Sequence, residues 1–341
     1  MKKHALFMSP MTTWSSNADL TVSQSELNYY RVRARNVDYV ITACTFLQRN
    51  HQSFKNQFFA GSDLYLESLT SLASAIHDGG AQAILQVCSA GRMISPDMQI
   101  EPDIDVVSAS AVRPEREGYK TPRELTRDEI DSIIQSYYDV TLRAIKAGFD
   151  GIEIHGANTC LPQQFVSPLT NVRHDEYGQD RLLFSKKLVA NVLQAKADTN
   201  MPNFIVGYRF SPEEREAGGL RMEHTLSLVD FLCNSNISYL HASLDEFDRT
   251  SYFDETVIAT ALIEKIKQRK PLIGVGKIRT KADVKRAYEL GYDHVALGTT
   301  LLLNPNWATV DNPHLKITDS VIPHDIPPNM RNVLINFFAN L

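Results

Sequence analysis

The chain has 341 residues, with 35 Lys and Arg against 40 Asp and Glu and a formal charge of -5. That length can bury a sizeable core, and the slight acidic excess leaves no electrostatic footprint for nucleic acid or an anionic membrane surface. Cys44, Cys88, Cys160 and Cys233 lack the Cys-x-x-Cys spacing of a zinc, iron–sulfur or dithiol site and read as reduced thiols of a cytoplasmic protein.

Met1-Lys2-Lys3-His4 imitates the start of a signal peptide, but the apolar stretch Ala5 to Met8 is too short and Ser9-Pro10 interrupts it. From there the pattern is a short apolar run, a polar or glycine-containing connection and an amphipathic segment, repeated without a flexible linker. It predicts strands at Leu6 to Met8, Tyr39 to Thr42, Ala83 to Val87, Gly151 to His155, Phe204 to Arg209, Tyr239 to Ala242, Leu272 to Val275 and Val295 to Leu297. Helices are expected over Ser25 to Arg35, Leu64 to His77, Arg181 to Ala197, His224 to Cys233, Thr256 to Lys267 and Asn329 to Phe338. Thr126 with Glu129 opens another, stopped by Gly148, and Thr280 with Asp283 opens one stopped by Gly291. The alternation predicts an α/β fold, a single (β/α)8 TIM barrel over residues 1–341. Residues 88–125, rich in proline and mixed charge, read as a capping insertion over one mouth.

In such barrels the chemistry gathers at the C-terminal ends of the strands. Ser9-Pro10-Met11-Thr12-Thr13-Trp14 follows the first strand, Gln86 lies on the third, His155 and Asn158 end the fourth and Arg209 ends the fifth. The spacing of three suggests His155 and Asn158 on one face of a helical turn, two donors converging on one ligand oxygen. Gly274-Val275-Gly276-Lys277 and Gly298-Thr299-Thr300 follow the last two strands and suit a phosphate. Each residue also has a plain structural reading: Gln86 as a core polar group, Arg209 as half of an ion pair, Trp14 as packing under a loop.

Taken together, Ser9-Pro10-Met11-Thr12, Gln86 with Ala90-Gly91-Arg92, Asp150 to Asn158, Gln164 to Pro168, Asn171, Arg173, Asp175 to Gly178, Arg181, Arg209 to Pro212, Gly274 to Gly276 and Ala296 to Gly298 resemble the Old Yellow Enzyme family of FMN-dependent oxidoreductases. The resemblance implies FMN as cofactor, with NADH or NADPH as electron donor in a ping-pong cycle through flavin N5. Thr12 is then similar to the residue bonded to the flavin C4 carbonyl, Gln86 and Arg209 to those on the pyrimidine edge, and Pro10, Met11 and Ala43 to those lining the isoalloxazine ring. Gly274, Gly276 and Gly298 would cradle the phosphate, Trp14 would cover the substrate face, and His155 and Asn158 would grip the oxygen of an enone or of the nicotinamide carboxamide. Arg92, Arg173, Tyr177 and Arg181 read as loop-holding residues.

Three departures from the family pattern stand out. Cys160 occupies the position where a tyrosine usually donates a proton; Thr299 replaces an arginine usually found near the FMN phosphate, with Lys277 as the expected compensation; and the lead before the first strand is short. The expected function is passage of hydride from NAD(P)H through FMN to a small-molecule acceptor, an activated alkene, a quinone or a nitro compound. A non-catalytic flavin-binding or sensing barrel, and a flavin-free sugar-phosphate lyase or isomerase, are the alternatives. No nucleic-acid, membrane or metal partner is expected, a homo-oligomer is compatible with the sequence, and Cys88 and Cys160 near strand ends suggest a redox-responsive thiol pair.

Overall fold

The structure is a computed structural model describing residues 1–308 and 322–338. Strand β1 (Leu6–Met8) pairs in parallel with both β2 (Tyr39–Ile41) and β8 (His294–Leu297). From β2 the sheet continues through β3 (Gln82–Cys88), β4 (Gly151–Gly156), β5 (Ile205–Phe210), β6 (Tyr239–Ala242) and β7 (Leu272–Gly274) back to β8, every pairing parallel. The ring is closed, as the eight apolar runs predicted, and a two-residue strand, Thr45–Phe46, flanks β3 outside it.

The barrel interior is filled by Ala5, Phe7, Tyr39, Ile41, Ile84, Ile205, Tyr239, Ile273, Val275 and Ala296. Alternate residues of each strand point inward, and the others pack against the surrounding helices. These are α1 (Gln24–Arg33), α2 (Leu66–Gly79), α3 (Arg127–Lys146), α4 (Leu183–Asp198), α5 (Met222–Asn234), α6 (Ile258–Ile266), α7 (Lys281–Leu290) and α8 (Pro328–Phe338). The capping boxes expected at Thr126/Glu129 and Thr280/Asp283 are both formed, and Gly291 closes α7 at φ 115. Such caps contribute about 1 kcal/mol each by satisfying amide groups the helix leaves unpaired.

Met1 to Ala5 lead into β1. The backbone N–H of Ala5 donates to His294 Nδ1 at 3.1 Å, and the Leu6 N–H donates to Asp38, so this lead is tied to its neighbouring strands. At the other face the segment after β3 forms a cap with a small parallel pair, Val107–Ser108 with Arg123–Glu124. Arg173, almost wholly buried, donates to the carbonyls of Ala109 and Leu125 at 2.9 and 2.7 Å while paired with Asp175 at 2.6 Å. It fastens the cap to the loop after β4. No helix among the described residues is long and apolar enough to cross a membrane.

Candidate active site

Strand register places the polar side chains side by side at the upper end of the barrel. Gln86 pairs with Glu153, Glu153 with Gly207 and Gly207 with Tyr239; two residues further up, His155 pairs with Arg209 and Arg209 with His241. Because successive inward positions are two residues apart, Glu153 lies directly beneath His155. Its carboxylate, with no solvent exposure, accepts from Gln86 Nε2 at 2.7 Å and from Tyr239 Oη at 2.9 Å, and meets His241 Nδ1 at 2.9 Å. Gly207 makes the Tyr239 contact possible, since a Cβ there would stand 2.1 Å from the tyrosine ring. Burial pushes the Glu153 carboxyl up, but His241, Arg209 and Gln86 outweigh it and hold it below its ordinary value. Burial also lowers His241, and the carboxylate and imidazole meet beside the buried Arg209 guanidinium, which favours the ionised carboxylate.

Burial first, then the neighbouring Arg209 charge, depress His155 to about 3. It is neutral throughout the physiological range. Asn158 does not share a helical turn with it, contrary to what the spacing suggested. His155 belongs to β4, whereas Asn158 and Thr159 adopt left-handed φ values of 53 and 62, turning the chain sharply after Gly156. The turn is fixed by Asn158 N–H donating to Ser211 Oγ at 2.8 Å. Ser243 Oγ donates to Asn158 Oδ1 at 2.9 Å, which leaves the amide N–H groups as the free donors. Asn158 opens with Thr159, Gln163, Arg209, Ser211 and Ser243 onto a cavity of about 620 Å³.

The other expected residues surround the mouth. Pro10, Met11 and Thr12 lie half-buried beyond β1, and a Cβ on Gly298 would meet Met11 Sδ at 3.4 Å, so the loops after β1 and β8 touch. Ala43 is buried, its N–H donating to Tyr30 Oη at 2.8 Å. Gly274 backs onto the Tyr292 ring, and Gly276, at φ 121, approaches the backbone of Asp245 and Glu246 so closely that a Cβ would lie 2.7 Å away. Thr299 is exposed at the start of the short helix Thr299–Leu303. Lys277, the expected compensation for the missing arginine, has its ammonium paired with Glu246 at the exposed surface. Trp14, at φ 49, packs its ring 6.0 Å from Phe54 while its carbonyl accepts from Asn329.

Cys88 lies within electrostatic reach of Cys160, as expected, and a third thiol joins them. Cys88 neighbours Cys44, with Gln57 Nε2 3.6 Å from both sulfur atoms; the hydrogen bond from Cys44 raises Cys44 and lowers Cys88. Cys44 was passed over because it stands on the segment after β2, remote in sequence from Cys88, and only the parallel pairing of Thr45–Phe46 with β3 joins them. Cys160 caps the helix Leu161–Val166 without a side-chain hydrogen bond at the cap, and burial pushes its thiol well up.

His155 Nδ1, Arg209 Nε and His241 Nε2 are buried without a hydrogen-bond partner. Buried polar groups are rarely left so, and an array of this kind suits a planar polar ligand over the strand ends. The model of the NADH:flavin oxidoreductase / NADH oxidase family matches residues 2–315. The chain belongs to this Old Yellow Enzyme-like family. Among its relatives, the probable NADH-dependent flavin oxidoreductase YqiG of Bacillus subtilis (strain 168) is 39% identical over 88% of this chain and 81% of that protein. NADH:acrylate oxidoreductase of Vibrio harveyi is 37% identical over 89% of this chain, which spans only 31% of that protein's length. The structure of the old yellow enzyme homologue from Zymomonas mobilis superposes with a TM-score of 0.78 over 95% of this chain and 94% of its own, at 22% identity, which supports the fold.

Membership in the NADH:flavin oxidoreductase family implies FMN and a reduced nicotinamide nucleotide as bound molecules. The residues present fit the flavin: the Gln86 amide oriented by Glu153 and the buried Arg209 with an unpartnered Nε would suit its polar pyrimidine edge, and Gly276, where no side chain fits, would suit its phosphate. Sequence reasoning missed Glu153, His241, Ser211 and Ser243. A signal existed for Glu153, an acid in the middle of the apolar run Gly151-Ile152-Glu153-Ile154 that a buried strand tolerates only with partners.

Proposed function

We propose that the protein is an FMN-dependent oxidoreductase taking electrons from NADH and delivering them to a small electron-poor acceptor whose oxygen is held by His155 and Asn158. The observation that carries this reading is the Ser243–Asn158 hydrogen bond, which occupies the Asn158 amide oxygen and leaves its N–H groups to donate, three residues after a neutral His155. When bound, FMN supplies N5 as the hydride carrier between donor and acceptor. Arg209 provides fixed positive charge where a reduced flavin gathers negative charge. His155 and Asn158 withdraw electron density from the acceptor oxygen, making the conjugated atom a better hydride acceptor. The same pair can hold a nicotinamide carboxamide, so one pocket serves both substrates.

Cys160 favours one class of acceptor. Its thiol is shorter than a phenol and donates hydrogen bonds only weakly, and burial pushes its pKa well up. Acceptors that finish at oxygen or nitrogen, such as quinones and nitro compounds, exchange protons with water and need no such group; a carbon centre does. The Vibrio harveyi relative is named for acrylate, so an alkene acceptor is the second reading. Anaerobic reduction of the FMN-loaded protein by NADH, followed by a quinone and separately by an enone, tests both. Faster reoxidation by quinone supports the first, equal rates support the second, and flavin that NADH does not bleach overturns the enzyme reading in favour of a flavin-binding barrel.

A further inference from the structure

The cavity above Asn158 continues outward past the reacting groups. Its inner wall is Arg209, which is 8% exposed, and its outer wall includes Arg116 on the cap and Arg215 and Tyr252 on the loops after β5 and β6. Four carboxylates also line it, and three are already satisfied within the protein. Glu213 accepts from Ser251 Oγ at 2.6 Å and from the Tyr252 N–H at 3.2 Å. Glu214 accepts from Gln163, Ser167 and the Leu220 N–H at 2.7, 2.6 and 2.8 Å. Asp245 is paired with Arg249 Nε at 2.9 Å. The fourth, Glu216, faces the cap near Arg92.

The two rim guanidiniums are placed differently. Arg116 is exposed and forms no ion pair among the described residues. Arg215, with 73% of its side chain exposed, lies 4.4 Å from the Tyr252 ring centroid and donates to its hydroxyl at 3.1 Å. Its carboxylate neighbour, Asp245, stands at 3.6 Å and is shared with Arg249. An arginine stiffened by an aromatic ring yet open to water loses little entropy on binding an anion.

We propose that Arg116 and Arg215 form the subsite for the pyrophosphate bridge of the reduced nicotinamide dinucleotide. The proposal rests on NADH as the donor. A nicotinamide held at His155 and Asn158 must send the rest of the molecule out of the barrel, and the cavity that Asn158 and Arg209 line is lined further by Arg116 and Arg215. The chain also lacks a glycine-rich fingerprint after a strand of the kind that holds a pyrophosphate by backbone amides. Side-chain cations therefore take that task, and a bidentate guanidinium suits phosphate oxygens.

The test compares two donors on the FMN-loaded protein: NADH, and N-benzyl-1,4-dihydronicotinamide, which carries the same reacting ring without phosphate. Arg116→Ala and Arg215→Ala should each weaken NADH about 10-fold in the concentration dependence of flavin reduction, leave the benzyl donor unchanged, and flatten the salt dependence seen with NADH. Calorimetric titration with ADP-ribose, which needs no turnover, should show the same loss of affinity. Unchanged NADH dependence in the double variant, or equal impairment with both donors, overturns the subsite. Wild-type flavin that the benzyl donor reduces but NADH does not would also overturn it, whereas failure of both donors would remove the underlying reading as well.

Discussion

The Glu153 carboxylate lies 2.9 Å from His241 Nδ1, both side chains wholly buried, on strands two positions apart in the barrel. The same carboxylate takes Gln86 Nε2 at 2.7 Å. The Gln86 amide is thereby oriented, with its oxygen left to accept from a ligand.

Replacing Glu153 therefore acts on the flavin through Gln86 and Arg209. Glu153→Gln removes a negative charge from beneath the pyrimidine end, so the reduced, negatively charged flavin is stabilised and the midpoint potential rises by about 30 mV or more, roughly 1.4 kcal/mol for a two-electron couple. Glu153→Asp keeps the charge and should leave the potential near wild type. Spectroelectrochemical titration measures both. A Gln variant that binds FMN at an unshifted potential would show that Glu153 serves packing alone.

Ser243 holds Asn158 by one hydrogen bond. Ser243→Ala should raise the KM for donor and acceptor together by about 5-fold, since a neutral hydrogen bond contributes near 1 kcal/mol, and Ser243→Thr should restore both. Asn158→Ala, which removes the donor itself, should cost about 10-fold for each substrate. Steady-state kinetics with one substrate varied at a time would detect a change confined to one of them, contradicting a shared pocket.

Cys160→Tyr restores the phenol that the resemblance leads one to expect. Turnover with an enone should rise about 10-fold, the lower end of general-acid assistance, while flavin reduction by NADH stays the same. Stopped-flow rates of the two half-reactions separate these effects. An enone rate unmoved in a flavin-loaded variant would mean that the proton reaches carbon by another route.

Stability should fall on mild acidification. Burial lowers His155 to about 3, and His51 and His294 to about 4, from an ordinary 6.5. Folded pKa values below the unfolded ones mean that the unfolded chain binds the extra protons. The stabilisation is thus complete above pH 6.5 and is lost as pH falls toward 4, by up to about 1.4 kcal/mol per pH unit for each fully titrating group. Urea unfolding at pH 7.5, 6.5 and 5.5 would reveal it, and His51→Gln should flatten the slope. For the same reason His155 stays neutral across that range, and flavin reduction should show no inflection from it.

The mouth residues on successive strand ends, Gln86, His155 and Arg209, were legible because parallel strands in a closed barrel bring their C-terminal ends together whatever separates them in the chain. The relation between His155 and Asn158 was only half legible. Three residues apart suggested a helical turn, but the left-handed pair Asn158 and Thr159 is set by Ser211 and Ser243, which arrive from β5 and β6. The ion pair of Lys277 was hidden for a related reason: Glu246, its partner, stands on another loop.

Periodicity, capping residues and glycine stops by themselves determined the eight strands, most helix ends and the face that carries the chemistry, because these depend on neighbours within a few residues. Tertiary structure alone decided which polar groups are engaged. Glu153 meets His241, Cys44 meets Cys88, and Arg116 joins Arg215 over one cavity only after the barrel closes. Burial and hydrogen bonding between strands then fix charge state and orientation, quantities that no local pattern of side chains contains.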